Sequence, residues 1–412
     1  MKKMDKATLK DVNNLVGRRV LIRVDYNVPM NSSGVIADDN KIRQSLITIK
    51  YCLGHGAKVI LCSHFGRPDG NDPKYSLEPV CYRLRKLLPK TTIYFAHNCI
   101  GDSVETQAAA LQNGEILLLE NTRFHEEEAQ NDPDFAKKLA SLADIFVNDA
   151  FASSHRAHAS TVGVTEYLPA VAGFLIEKEL IMLSAVACNP ARPLTVISGG
   201  KKVSDKLGVV EHLFGLADNV LIGGGMVYTF IKAMGGKVGN SIVDETKIDY
   251  CRECIEKAKG NVNLVIASDT VVATEIKAGV KTKTVPSMEI PDGYSGADIG
   301  AKTIAQFTDI INKSATIFWN GTMGVSEIAE FENGTKAIAE AIATGNAISV
   351  VGGGDTASEV VRLAKPQDFT HISTGGGASL EFIEGKELPG IKALLSPEEF
   401  NRMEEDGGTK TK

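Results

Sequence analysis

Cationic and amide side chains follow one set of short apolar runs in this sequence, and glycine clusters follow another. In the first half the run ends carry Asp25 and Asn27, then His64 and Arg67, then Asn121 and Arg123, then His155, Arg156 and His158. Guanidinium forks pair bidentately with carboxylate and phosphate, so several at successive run ends point to a small, multiply anionic ligand. In the second half glycines stand at 199–200, 223–225, 352–354 and 375–377, each directly after an apolar run. Glycine lets the backbone approach a phosphate closely, and a helix that starts there offers free N–H groups and the positive end of its dipole. One such cluster can be only a tight turn, but four in one half exceed what turns explain. Asp355 and Thr356 follow the third cluster. A carboxylate beside a phosphate cradle suits Mg²⁺, and taken alone serves equally as a helix cap. Lys201, Lys202 and Lys206 follow the first cluster, and Lys202 and Lys206 share a helix face. A nucleotide on one half and a small polyanion on the other would suit phosphoryl transfer, which depends on positioning and charge stabilisation away from water.

The elements that must position these groups are legible in the same runs. They cover 19–29, 57–68, 115–125 and 143–151 in the first half. In the second they cover 193–202, 219–226, 262–269, 315–324, 347–355 and 369–379. Near-continuous Val, Ile and Leu followed by loop residues predict parallel strands buried on both faces. Alternation with amphipathic stretches predicts an α/β fold: two doubly wound parallel-sheet, Rossmann-like domains. GFLIEKELIMLSAVAC has helical spacing and ends before Pro190 and Pro193, so it reads as a hinge helix about which the domains close. The expected boundaries are 1–180, 181–392, and a C-terminal segment 393–412. GADIGAKT at 296–303 lacks the glycine–lysine step of a phosphate loop, and no GxGxxG opens the second sheet.

Bulk properties narrow the class. A length of 412 residues implies two domains, and 43% hydrophobic with 23% charged residues is ordinary for a globular enzyme. A net charge of −6 disfavours nucleic acid as a partner. The seven cysteines form no disulfide framework, and the Cys251/Cys254 pair lacks a second ligand pair for zinc, so a reducing compartment is expected. MKKMDKATLKDV has no apolar core of a secretory signal, and no run is long enough to span a membrane. A cytoplasmic monomer is the expected state.

Ten motifs in order resemble the phosphoglycerate kinase family over essentially the whole chain: VDYNVP, SHFGRPDG, ENTRFH, NDAFASSHRAHAS, GFLIEKEL, GGKKVSDK, IGGGM, WNGTMGV, GGGDTAS and STGGGASLEFIEGKELPG. The resemblance implies reversible transfer between MgATP and the carboxylate of 3-phosphoglycerate, giving ADP and 1,3-bisphosphoglycerate. It implies that Asp25, Tyr26, Asn27, Lys41, His64, Arg67, Arg123 and Arg156 hold 3-phosphoglycerate. Gly200, Lys201, Lys206, Gly224, Gly296, Asn320, Glu327, Gly353, Gly354, Asp355 and Thr356 would hold the nucleotide, with Asp355 serving Mg²⁺. Lys41, Lys206 and Gly376 would act on the group in flight. The C-terminal segment is implied to pack back on the first domain.

The chain departs from the family pattern where a catalytic arginine is usual and Lys41 stands instead. Lysine keeps the charge but loses the planar fork, and Arg43, two residues on, faces elsewhere on a helix. Two further readings stay open at this level. One is a weakened paralogue that binds the same ligands as an interaction protein. The other is a different mononucleotide-dependent transferase, which would leave the first-half motifs without a purpose.

Overall fold

Runs of Val, Ile and Leu become parallel strands in the computed structural model, which describes residues 6–201, 204 and 206–405. In chain order the strands are β1 Arg19–Arg23, β2 Lys58–Cys62, β3 Ile93–Phe95, β4 Ile116–Leu118, β5 Ile145–Asn148, β6 Ala170–Ala172, β7 Leu194–Ser198, β8 Asn219–Ile222 and β9 Lys237–Val238. Then follow β10 Asn263–Ile266, β11 Asp269–Ala273, β12 Lys283–Pro286, β13 Glu289–Ile290, β14 Ser295–Ile299, β15 Thr316–Asn320, β16 Ile348–Gly352 and β17 His371–Ile372. Among the described residues, two six-stranded parallel sheets form, ordered β3-β4-β2-β1-β5-β6 and β10-β8-β7-β15-β16-β17. Both are doubly wound, and every apolar run named above supplies one of their strands.

Burial explains why periodicity is weak in these strands. Val20, Leu21 and Ile22 alternate across the sheet, yet none has exposed surface, because helices cover both faces. Several of the strands not anticipated are short or polar. β3 and β6 have three residues each and lie at the two edges of the first sheet. A small antiparallel sheet, β12-β11-β14, includes the exposed LysThrValPro strand β12, which no apolar run announces.

The chain divides into two compact units. Among the described residues, one runs to Leu180 and resumes at Glu387; the other is Ile181–Lys386. The boundary falls inside the helix Phe174–Ala187, the segment read as a hinge. The C-terminal return thus begins at Glu387 rather than at 393. Leu388, Ile391 and Leu394 are already buried there. Gly390 N–H donates to Ser154 O at 2.8 Å, and Asn148 Nδ2 donates to Gly390 O at 3.0 Å.

Two features noted in the sequence have plain structural roles. The strand-glycine-helix of GADIGAKT is β14, Gly300 and the helix Ala301–Asn312. Its N-terminus is filled internally, for the Asp269 carboxylate accepts Lys302 N–H at 3.1 Å, Thr303 N–H at 2.8 Å and the Thr303 hydroxyl at 2.7 Å. Cys251 and Cys254 are free and buried in the helix Ile248–Ala258. Among the described residues no group of three or more His, Cys, Asp or Glu could hold a metal, and no helix is long and apolar enough to cross a membrane.

Asp298 in β14 is 2% exposed, and burial pushes its carboxyl up to about 7 although Gly334 and Ile299 N–H groups donate to it. Its folded pKa lies above the unfolded value, so its contribution to stability is full below the unfolded pKa and is lost as pH rises through about 7. The destabilisation caused by Asp298→Asn should therefore shrink by roughly 1 kcal/mol per unit between about pH 5 and pH 7. Urea unfolding followed at Trp319, the single tryptophan, checks this. A destabilisation independent of pH would contradict it.

Candidate active site

At the carboxyl ends of β1, β2, β4 and β5 the first unit has a cavity of about 310 Å³. Asp25, Asn27, Lys41, His64, Arg67, Arg123 and Arg156 line it, with Gly66, Tyr75, Ser153, His155 and His158. Loop hydrogen bonds place them. Asn121 is fully buried and works as a staple: Oδ1 accepts Phe65 N–H at 2.9 Å, while Nδ2 donates to Phe65 O at 2.7 Å and Tyr75 O at 3.0 Å. It joins the β2 and β4 loops instead of facing this cavity. Gly66 N–H donates to Asn27 Oδ1 at 2.9 Å, and Arg123 Nη1 donates to Gly66 O at 2.5 Å. Lys41 stands in the first turn of the helix Asn40–Gly54 and pairs with Asp25 Oδ2 at 2.7 Å. Arg43 points elsewhere and pairs with Asp39 Oδ1 at 2.8 Å.

Tyr26, expected among the ligand-holding residues, does not line this cavity. Beyond β1 the chain turns, with Asn27 N–H donating to Asp25 Oδ1 at 3.0 Å and Val28 N–H to Tyr26 O at 2.9 Å, so that Asp25 and Asn27 line the cavity while Tyr26 enters the core. It has no exposed surface, and its hydroxyl lies 3.0 Å from Ser45 Oγ. Arg23, which the sequence reading passed over inside an apolar run, is fully buried directly beneath, with Nη2 at 3.1 Å from His64 Nδ1. Burial, reinforced by the cations Arg23, Arg123 and Lys41, holds the His64 pKa well below the usual imidazole value. His64 is therefore neutral at physiological pH, and the cavity's positive charge resides on Lys41, Arg67, Arg123 and Arg156.

The second unit has a larger cavity, about 840 Å³, along the carboxyl ends of its sheet. Gly200, Lys201, Lys206, Gly296, Glu327, Gly353, Gly354, Asp355, Thr356 and Gly376 line it, and Tyr228, Ile242, Ile276, Val325 and Leu380 give it an apolar portion. Lys202 lies outside the described residues. Gly224 is absent from the lining, because it is wedged against the neighbouring loops: a Cβ there would sit 2.5 Å from Gly200 N. Asn320 is also set back. It is 1% exposed and its Nδ2 donates to Gly352 O at 2.8 Å, bracing the loop that carries Gly353.

The glycine clusters prove to have two purposes. At Gly199 a Cβ would meet Thr322 O at 2.3 Å, and at Gly223 it would meet Met323 Sδ at 2.6 Å, so these permit close packing of loops. At Gly354 and Gly377 a Cβ would meet nothing within 4 Å, and neither has positive φ. Each is the first residue of a helix, Gly354–Leu363 and Gly377–Ile383. Their lack of a side chain leaves backbone N–H groups open to the cavity. The Thr356 hydroxyl accepts Gly321 N–H at 2.7 Å and so ties two cavity loops together. Asp355 is exposed in the first turn beside Gly354. One carboxylate without a protein cage fits Mg²⁺, which is commonly held by substrate phosphates with one or two carboxylates.

Comparison with known proteins agrees with this geometry. The profile of the family described as phosphoglycerate kinase matches residues 9–386. The chain is 51% identical over 397 residues to the phosphoglycerate kinase of Dictyoglomus turgidum, covering 95% of this chain and 99% of that one. It is 48% identical over 393 residues to phosphoglycerate kinase 3, cytosolic, of Arabidopsis thaliana, covering 94% and 98%. The solved phosphoglycerate kinase of Coxiella burnetii has a TM-score of 0.86 at 38% identity, over 94% of this chain and 98% of that one. That of Pyrococcus horikoshii has a TM-score of 0.81 at 33% identity, over 96% and 100%. With two doubly wound units, a cation-lined cavity on one and a glycine-lined cavity on the other, the chain belongs to the phosphoglycerate kinase family.

Proposed function

We propose that the protein is a phosphoglycerate kinase that passes a phosphoryl group reversibly between MgATP and the carboxylate of 3-phosphoglycerate. The observation that carries this reading is the pairing of two unlike anion cavities in one chain. Arg67, Arg123 and Arg156 surround a space suited to a small ligand with a phosphate and a carboxylate. The second cavity joins lysines and open helix N-termini to an apolar portion, as a nucleotide requires. Because the cavities belong to different units, transfer calls for closure about the helix Phe174–Ala187.

An acceptor carboxylate oxygen forms a bond to the γ-phosphorus while the bond from that phosphorus to the β,γ-bridging oxygen breaks. The acceptor is already ionised, so no general base is needed. Asn27, His64 and the arginines hold the acceptor. Lys206 and the N–H groups beginning at Gly376 and Gly377 face the nucleotide phosphates, and Lys41 supplies positive charge from the acceptor side. Asp355 would help to hold Mg²⁺, which would neutralise phosphate charge. A cytoplasmic location fits the free cysteines.

A coupled assay with ATP, Mg²⁺ and 3-phosphoglycerate should show turnover. Binding of both ligands without turnover would instead favour a ligand-binding paralogue. Lys41→Ala should lower kcat by about 100-fold while KM for ATP stays within about twofold. Equal losses in the two would sink the assignment of Lys41 to the transferring group. Gly354→Ala should leave stability unchanged or raise it by up to about 1 kcal/mol, yet raise KM for ATP about tenfold. An unaltered KM would mean that the open space at Gly354 has no part in nucleotide binding.

A further inference from the structure

Under the cation-lined cavity runs a line of buried polar groups that the reading above leaves without a task. Arg23 ends β1 with no exposed surface, an arrangement that is stable only when its N–H groups find acceptors. Its Nη1 donates to Val24 O at 2.5 Å, its Nε to Ser160 Oγ at 2.8 Å, and its Nη2 lies 3.1 Å from His64 Nδ1. Ser160 in turn donates its hydroxyl to Glu128 Oε1 at 2.5 Å and its backbone N–H to Glu128 Oε2 at 2.9 Å. Glu128, like Ser160 and Arg23, has no exposed surface.

Donor and acceptor capacity fixes the protons along this line. A carboxylate accepts only, so the one hydroxyl proton of Ser160 is committed to Glu128, and Ser160 Oγ receives Arg23 Nε–H. A guanidinium donates only, so His64 Nδ1 must present a lone pair. The ring proton then sits on Nε2, the nitrogen left for the cavity that His64 lines. The opposite tautomer would turn a lone pair toward an anionic ligand. Arg123, Lys41 and His158 also face His64, and with burial and Arg23 they disfavour the imidazolium. The cavity thereby gains a hydrogen-bond donor without a further charge among its crowded cations.

We propose that Arg23 is a positioning residue, which together with Ser160 and Glu128 locks His64 in the Nε2–H tautomer so that it donates to the bound anion. The lock stands on the geometry alone; the identity of the anion rests on reading the cavity as the 3-phosphoglycerate site.

Long-range proton–nitrogen NMR of protein labelled with nitrogen-15 in histidine tests this. At neutral pH His64 should show an unprotonated Nδ1 and a protonated Nε2. Arg23→Met should give a mixture of tautomers and raise KM for 3-phosphoglycerate about tenfold, with KM for ATP unchanged. Arg23→Lys, which keeps a donor-only cation beside Nδ1, should restore the single tautomer. A proton on Nδ1, or on both nitrogens, in the unaltered protein overturns the proposal, whether or not Arg23→Met folds. So does a tautomer unchanged in folded Arg23→Met. If the locked tautomer is found but 3-phosphoglycerate leaves the His64 Nε2 resonance unmoved, the lock stands and the reading of the cavity fails.

Discussion

A strand covered by helices on both faces buries every polar side chain along its length away from water, so each one there must find a hydrogen-bond partner within the protein. Polar chemistry is therefore driven to the loops at the carboxyl ends, where the backbone emerges and helix N-termini converge. β1 shows the constraint at its limit: Val20, Leu21 and Ile22 are wholly buried, Arg23 closes the strand, and Asp25 and Asn27 stand on the loop beyond. The same constraint acts in the second unit, where β15 and β16 end in Asn320 and Gly352 and the cavity begins at the following residues. Both sheets obey one rule, and the contents of their loops make them different binding devices.

The contents differ because the two sites meet charge differently. In the first unit positive charge comes from long side chains, and it is tempered by the Asp25 carboxylate on Lys41 and by a neutral His64. Such groups can adapt to a small ligand with unlike ends. In the second unit the cavity is lined by the helix starts at Gly354 and Gly377, whose backbone N–H groups are fixed in direction. Asp269 shows why the count of helix N-termini overstates the count of anion sites. Its carboxylate already fills the start of the helix Ala301–Asn312, leaving that end for structure alone.

The ten long apolar runs were legible because buried parallel strands are dense in Val, Ile and Leu. β3 and β6 escaped because three residues at a sheet edge make too short a signal, and β12 because LysThrValPro is mostly exposed. The cavities were legible to the extent that their residues follow run ends. Tyr26 was misplaced by adjacency to Asp25 and Asn27, although the turn beyond β1 sends it inward. Gly224 was grouped with phosphate-facing glycines, although loop crowding accounts for it. Arg23 was missed for the opposite reason. A charged residue inside an apolar run looks like noise until a partner such as Ser160, far away in sequence, is seen beside it.

The return of the chain at Glu387 has a consequence for the order in which the molecule can be made. Lys6 Nζ donates to Leu394 O at 2.6 Å, and Ala7 N–H donates to Leu395 O at 2.9 Å, so one end of the first stretch is tied to residues 388 positions further along the chain. The stretch Ile181–Lys386 is continuous, whereas the other unit is built from two separate stretches of chain. During synthesis, which proceeds from the N-terminus, the unit that is begun first is completed last. Leu388, Ile391 and Leu394, all buried in that unit, lie beyond Lys386, so its core closes only after the second unit has been translated.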